Sequence, residues 1–132
     1  MMYNKVVEDC FFHPEHVGVL EASDPLVAHY SYKMMHQKTI SMIELYIECS
    51  RDGLIRTACF KSNGNPYVLA ALEWLCQNIE GTNLDSPPSI NYQVLINVLD
   101  IPNSQYPVAL VIEDVYKETL ALMQKNITGY KS

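Results

Sequence analysis

Apolar and polar positions in the first part of the chain follow a helical period and then alternate. In residues 3–12 the apolar side chains recur at helical spacing, and His13-Pro14 should end this helix. Residues 26–35 contain the mixture of Tyr, Val and His that is typical of a strand. Residues 39–49 alternate cleanly, which predicts a strand with one face toward a core and one toward water. The face toward the core is expected to carry Ser41, Ile43, Leu45, Ile47 and Cys49, and the face toward water Met42, Glu44, Tyr46 and Glu48.

Turn and cap signals organise the middle of the chain. Residues 50–53, Ser-Arg-Asp-Gly, are a turn signal, so the apolar run 54–61 should pair with the preceding strand as an antiparallel hairpin. Asn65 is a good N-cap and Pro66 suits the first helical position. A helix is therefore predicted to start there and to end near Gly81.

Two further helices are predicted at about 89–99 and 107–126, because Pro102 interrupts the periodic pattern between them. The order of elements predicts an α+β fold in which helices pack on one face of a small three-stranded antiparallel sheet. With 132 residues, 48% of them hydrophobic, the chain can bury one core, so residues 1–132 are expected to form a single domain.

The charge balance narrows the choice of partners. The formal net charge is −6, and the nine Lys and Arg residues are spread along the chain, which favours neither nucleic acid nor an anionic membrane surface. Residues 1–20 match neither a signal peptide nor a transit peptide, and no apolar run approaches membrane-spanning length. A cytoplasmic location is expected.

The spacings of the cysteines, and of His13 and His16, do not match a metal-binding or catalytic motif. The four cysteines lie far apart, at Cys10, Cys49, Cys59 and Cys76, and they are expected to be reduced, mostly buried thiols. His13 and His16 flank Pro14 and are expected to be exposed turn residues. Recognisable frames for a nucleophile with its base, or for a phosphate-binding loop, are missing from the sequence, so the protein is not expected to be an enzyme.

Short sequence motifs occur in a defined order along nearly the whole chain. Residues 3–6 read Y-N-K-V, residues 13–18 read H-P-E-H-V-G, and residues 52–64 read D-G-L-I-R-T-A-C-F-K-S-N-G. Later marks are Gly81, Leu84, Asp85, Ile101-Pro102 and Ile112-Glu113-Asp114. The set resembles the iron–sulfur cluster scaffold family of the NifU N-terminal or IscU type, which reads approximately Y-x-x-K-V, N-P-R-N-V-G and E-G-I-I-x-x-A-R-F-K-T-Y-G. The resemblance implies that family's α+β fold and a place in iron–sulfur cluster assembly.

The resemblance also implies where a cluster would be held. Family scaffolds use three cysteines aided by an aspartate and a histidine, because soft anionic sulfur suits cluster iron. The matching positions here are Thr39, Asn65 and Val108 for the cysteines, Ser41 for the aspartate and Pro107 for the histidine. The family's chaperone-binding L-P-P-V-K corresponds to residues 101–105, I-P-N-S-Q, which lack the lysine. The implied protein is a degenerate scaffold that binds no cofactor.

Two other roles stay open. One is an iron–sulfur or metal-delivery protein that binds a cluster or zinc through non-standard ligands, with His36 joined by His29 and by Asn65 or a water. The other is a small acidic chaperone or adaptor, which the charge and size would suit.

A degenerate scaffold would act through protein contacts, as a monomer or a homodimer. We expect the partner to be a cysteine-desulfurase-like protein or a subunit of another assembly. Tyrosine gives contact area at low entropic cost, so the tyrosines near the former cluster loops could form a recognition patch, or they could be half-buried strand residues. The candidates are Tyr3, Tyr30, Tyr32, Tyr67 and Tyr106.

Overall fold

A computed structural model describes residues 3–36 and 38–131 of the chain. Its elements are α1 (Lys5–Phe12), β1 (Val27–His36), β2 (Thr39–Cys49), β3 (Ile55–Ser62), α2 (Pro66–Ile79), α3 (Tyr92–Leu99), a 3-10 turn (Asn103–Gln105) and α4 (Tyr106–Lys131). The predicted order of one helix, three strands and then helices is confirmed. The fold is α+β.

The three strands form one antiparallel sheet in the order β1-β2-β3. His29 pairs with Tyr46 and Tyr46 with Cys59, so these three residues form a row across one face. A register shift at Glu48/Cys49 ends the regular pairing of β2 with β3. On the free edge of β3, Val17 forms a short parallel bridge with Phe60.

The core lies between the other face of the sheet and the helices. Ile43, Leu45 and Ile47 point from β2 into it and are fully buried, as the alternation predicted. Helix α4 crosses β1 and β2, α2 lies against β3, and α1 packs on α2. Large apolar side chains from α2, α3 and α4 fill the space between these layers.

Tyr46 corrects the expectation that every outward position of β2 faces water. Its side chain does lie on the outward face, but only 7% of the residue is exposed. The ring stacks on His29 with centroids 4.2 Å apart, and its hydroxyl contacts Glu44. An aromatic body with a polar tip can be covered on an outward face in this way.

His16 is the second correction. His13 is exposed as expected, but the His16 side chain is only 14% exposed because it enters a polar network against α2. Its Nδ1 lies 2.6 Å from Glu73 and its Nε2 lies 2.9 Å from Glu80. The turn after α1 is therefore fastened to the body of the domain.

Candidate functional site

Three of the five family-matched positions line one cleft of about 330 Å³. The cleft lies where the turn end of the β1–β2 hairpin meets the connection from β3 to α2. Its lining residues are Met34, His36, Thr39, Ser41, Asn63, Gly64, Asn65 and Val68. The structure therefore brings Thr39, Ser41 and Asn65 together, although they are distant in sequence.

The hairpin supplies one wall of the cleft through cross-strand pairs. His36 pairs with Thr39 and Met34 pairs with Ser41 at the turn end of β1 and β2. Alternate residues of a strand share a face, so Ser41 lies on the core side with the buried Ile43. Ser41 is 9% exposed and Thr39 is exposed. Their hydroxyls are neutral donors and acceptors, not anions.

The connection from β3 to α2 supplies the opposite wall. Asn63 accepts a 2.7 Å hydrogen bond from the backbone N–H of Met42, and the Ser62 hydroxyl donates to the Met42 carbonyl at 2.6 Å. A Cβ on Gly64 would stand 2.6 Å from the Val68 side chain, so this position needs glycine. These contacts hold the connection into α2 against the beginning of β2.

Asn65 has both ends of its amide occupied. Its Oδ1 accepts the N–H of Val68 at 3.0 Å as the N-cap of α2. Its Nδ2 donates to Gln105 Oε1 at 2.8 Å, which ties α2 to the turn before α4. The residue at a family cysteine position is thus a structural cap, as the sequence predicted for the cap.

Pro107 and Val108 lie in the first turn of α4, two and three residues after Gln105. Pro107 is exposed, whereas Val108 is fully buried in the core and is not among the cleft residues. The third family cysteine position therefore holds a buried packing residue that does not line the cleft.

The two candidate histidines lie on opposite faces of β1. His36 lines the cleft, and its Nε2 is buried with no hydrogen-bond partner among residues 3–36 and 38–131. His29 is seven positions earlier, stacks on Tyr46 and lies 3.0 Å from Glu44 on the outward face. The expected pairing of His29 with His36 is therefore wrong, since the period of a strand is two. Within residues 3–36 and 38–131, His, Cys, Asp and Glu side chains do not group in threes as a metal site.

The four cysteines are all buried, as expected, and they belong to different elements. Burial, with a smaller effect of nearby carboxylates, raises the pKa of Cys10 and of Cys49 to about 11. Burial also raises the pKa of Cys59, and that of Cys76 well above its ordinary value. These groups are neutral thiols at neutral pH and not the thiolates that bind metal.

The candidate tyrosines fall in two places. Tyr3 and Tyr67 meet edge to face with ring centroids 5.2 Å apart, and Tyr67 is only 6% exposed. Tyr106, at the start of α4, is 39% exposed. Tyr30 and Tyr32 are half-buried side chains of β1 that pack against the core.

Tyr30 borders α4. Burial first, and then the negative charges of Asp114 and Glu118, raise the pKa of Tyr30. The hydroxyl therefore stays protonated at neutral pH beside two acidic side chains of α4. This neighbourhood is separate from the Tyr3 and Tyr67 pair.

The fold is a small α+β domain in which helices pack on one face of a three-stranded antiparallel sheet, with a cleft at the turn end of the β1–β2 hairpin. The profile of the NifU-like N-terminal domain matches residues 2–128. The chain belongs to this family.

Curated relatives support the same family at low identity. The chain is 25% identical over 121 residues to the iron–sulfur cluster assembly scaffold protein IscU of Buchnera aphidicola (subsp. Acyrthosiphon pisum), covering 92% of this chain and 94% of that protein. It is 24% identical over 121 residues to IscU of Escherichia coli K12, covering 92% and 93%. The N-terminal domain of a NifU-like protein from Brucella abortus shares the fold with a TM-score of 0.60 at 15% identity, over 92% of this chain and 94% of that structure.

The length and hydropathy of the helices bear on whether any of them could span a membrane. Among the described residues, every helix is too short or too polar to cross a membrane.

Proposed function

We propose that this protein is a pseudo-scaffold: a member of the iron–sulfur scaffold family that assembles no cluster on the family's site and acts by binding another protein. The proposal rests on the residues found at the three positions that match the family's cysteines. Thr39 offers a neutral hydroxyl, Asn65 is committed at both ends of its amide, and Val108 packs in the core.

The chemistry of the remaining thiols supports the same proposal. Cluster iron is held by thiolates. Cys10 and Cys49, with pKa values of about 11, keep their protons at neutral pH. They sit in α1 and β2 and are not cleft residues, so using them would require the core to open.

The partner is a protein, and we infer a cysteine-desulfurase-like enzyme or a subunit of another assembly. Tyr3 and Tyr67 give aromatic contact area beside Asn65 and Gln105, and Tyr106, the next residue after Gln105, is a separate exposed aromatic side chain. The protein itself contributes binding, with no catalytic step.

Elemental analysis of anaerobically purified protein tests the pseudo-scaffold directly. The protein is then incubated with iron, sulfide and reductant while visible absorbance is followed. Iron, zinc and sulfide at background, with no absorbance gained, are the expected results. One cluster or one metal ion per chain would overturn the proposal.

A second candidate function rests on one observation, the unpartnered Nε2 of His36 in the cleft. Imidazole nitrogen is a common metal ligand, so the cleft could carry zinc or iron for delivery. This candidate requires stoichiometric metal in the natural chain and loss of that metal in His36→Ala. The variant His29→Ala is the matched control, because His29 lies on the other face of the same strand.

Binding of the partner is tested by calorimetry with the cysteine desulfurase of the same organism. Tyr106→Ala should weaken binding about tenfold or more, as loss of an exposed aromatic anchor does. Tyr92→Ala is the matched control, since Tyr92 is 42% exposed on α3 and Tyr106 is 39% exposed. Equal binding by both variants would remove this surface from the proposal.

A further inference from the structure

The segment 13–18, between α1 and the sheet, is held on the domain by one histidine and two carboxylates. His16 Nδ1 lies 2.6 Å from Glu73 Oε2, and His16 Nε2 lies 2.9 Å from Glu80 Oε1. Glu73 is fully buried, and 31% of the Glu80 side chain is exposed. Glu73 projects from α2, and Glu80 is the C-cap residue that follows the same helix.

The two contacts set the protonation of the ring. A neutral imidazole has one nitrogen without a hydrogen, and that nitrogen would face a carboxylate oxygen, lone pair against lone pair. Only the imidazolium donates from both nitrogens. Burial alone would lower the pKa of His16, but the hydrogen bonds and charges of Glu73 and Glu80 outweigh it and raise the pKa above 6.5.

The same carboxylates fasten the backbone of the segment. Glu73 Oε1 accepts the N–H groups of Glu15 and of His16, each at 2.9 Å. Glu80 Oε2 accepts the N–H of Ala58 on β3 at 2.8 Å. The histidine therefore joins two anchor points, one on the segment and one on the edge strand.

The segment covers the free edge of β3. The N–H of Phe60 donates to the carbonyl of His16 at 2.9 Å, and the N–H of Gly18 donates to the carbonyl of Phe60 at 2.9 Å. Without the segment, these backbone groups of β3 would be an open strand edge.

We propose that the segment 13–18 is a proton-dependent clasp, closed on β3 and α2 while both ring nitrogens of His16 carry hydrogen and opened from that edge when the ring loses a proton. Loss of the proton leaves a bare nitrogen against a carboxylate and removes the cation between two anions. Opening leaves the backbone groups of Phe60 on β3 as an uncovered strand edge.

The charged and titratable groups around His16 make the clasp depend on the proton of its ring. The charged groups acting on it are the carboxylates of Glu73 and Glu80 from α2. Three thiols face the same carboxylates and stay neutral because burial raises their pKa, and they come from α1, β3 and α2: Cys10, Cys59 and Cys76. The positive charge that balances the two carboxylates is therefore that of the His16 imidazolium. The clasp is strongest below about pH 6.5 and weakens as the pH rises through the pKa of the folded state.

Amide hydrogen exchange by NMR on the full chain tests the clasp. The amides of Gly18 and Phe60 report the closed segment, and the amides within β2 serve as the internal reference. After correction for intrinsic exchange, opening at Gly18 and Phe60 should increase by up to about tenfold per pH unit between about pH 6.5 and the folded pKa, and should level off above the folded pKa, as one linked proton requires. The amides of β2 should show no such increase.

Variants of His16 and of Glu80 distinguish the effect of the His16 proton from the effect of side-chain packing. His16→Asn cannot be protonated and should remove the pH dependence, whereas His13→Asn, at the exposed neighbour, should retain it. Glu80→Gln keeps an acceptor for Ala58 and removes one charge, so it should lower the pKa of His16 even if His16→Asn does not fold. The proposal would be overturned if the amides of Gly18 and Phe60 showed the same pH dependence of exchange as the amides of β2. It would also be overturned if the His16 ring titrated at or below about pH 6.5.

Discussion

Glu73 is a buried carboxylate whose removal should be costly at the scale of one residue. It accepts four hydrogen bonds, from two backbone N–H groups, the His16 ring and the Gln77 amide. Glu73→Ala should lower the free energy of unfolding by about 3 kcal/mol, because it leaves buried donors and a buried cation without their partner. Urea denaturation followed by circular dichroism measures the loss.

The control for this prediction is Glu118→Ala on the exposed side of α4. It should leave the free energy of unfolding nearly unchanged, since an exposed carboxylate is solvated in both states. Equal effects of the two substitutions would show that the network around Glu73 adds no stability.

The thiols give a second prediction at this scale. With a pKa of about 11, Cys10 and Cys49 are thiolates in roughly one molecule in 3,000 at about pH 7.5, and both side chains are also buried. Dithiobis-nitrobenzoate should therefore react slowly with the native protein and with all four cysteines in denaturant. A thiol that reacts within seconds in the native protein would contradict the burial described for these residues.

Single residues also show where sequence reasoning reaches its limit. Asn65 was predictable as a cap because capping depends on local sequence. The burial of His16 was not, because its partners are 57 and 64 positions away. A signal was present, however: Glu73 is a carboxylate among the apolar positions of α2, and Glu80 follows seven positions later at the C-cap of the same helix.

At the scale of elements, two asparagine caps allow a matched comparison. Asn65 caps α2 and its amide also donates to Gln105, whereas the Asn91 side chain caps α3 by accepting the N–H of Val94. Asn91→Ala should cost about 1 kcal/mol, the usual loss for an N-cap. Asn65→Ala should cost about 2 kcal/mol, because the tie to the turn before α4 is lost as well.

Thermal or urea unfolding of the two variants measures the difference between the caps. The result bears on the site, because a cysteine at position 65 could not serve as the same cap. Equal losses would mean that the contact with Gln105 carries no net stability and that Asn65 contributes only as an N-cap.

The boundaries of helices were predicted less well than their existence. Helix α3 was expected from about residue 89 and begins at Tyr92, because Asn91 is the residue whose side chain caps the first turn. Helix α4 was expected over 107–126 and spans Tyr106–Lys131, passing through Gly129. Packing against β1 and β2 outweighs the low helix propensity of one glycine.

At the scale of the whole molecule, sequence and structure each supplied part of the site. Alternation and turn signals predicted the sheet, and the family resemblance pointed to Thr39, Ser41 and Asn65 before the fold brought them into one cleft. The burial of Val108 depended on tertiary packing, because it follows from which face of α4 meets the core. The separation of His29 from His36 follows from their odd spacing along one strand, so it was within reach of the sequence once both were assigned to β1.

Restoring the family ligands tests whether the fold still supports a cluster. The variant carries Thr39→Cys, Ser41→Asp, Asn65→Cys, Pro107→His and Val108→Cys. Two of the new thiols would line the existing cleft, and the third would lie in the first turn of α4, next to the turn that Asn65 now contacts. We expect this variant to take up iron and sulfide with visible absorbance under anaerobic reconstitution, because three thiolates replace neutral or apolar groups. It should also be less stable by about 1 kcal/mol or more before loading, through loss of the α2 cap.

The control variant has serine in place of the three new cysteines and retains the new aspartate and histidine. It carries similar disturbance of the cap and of α4 without soft ligands, so it should remain colourless. Uptake by the restored variant alone would mean that the loss of ligands, and not a change in the fold, ended cluster assembly here. Failure of a well-folded restored variant would instead locate the change in the backbone, most directly in the first turn of α4, where Val108 is directed into the core.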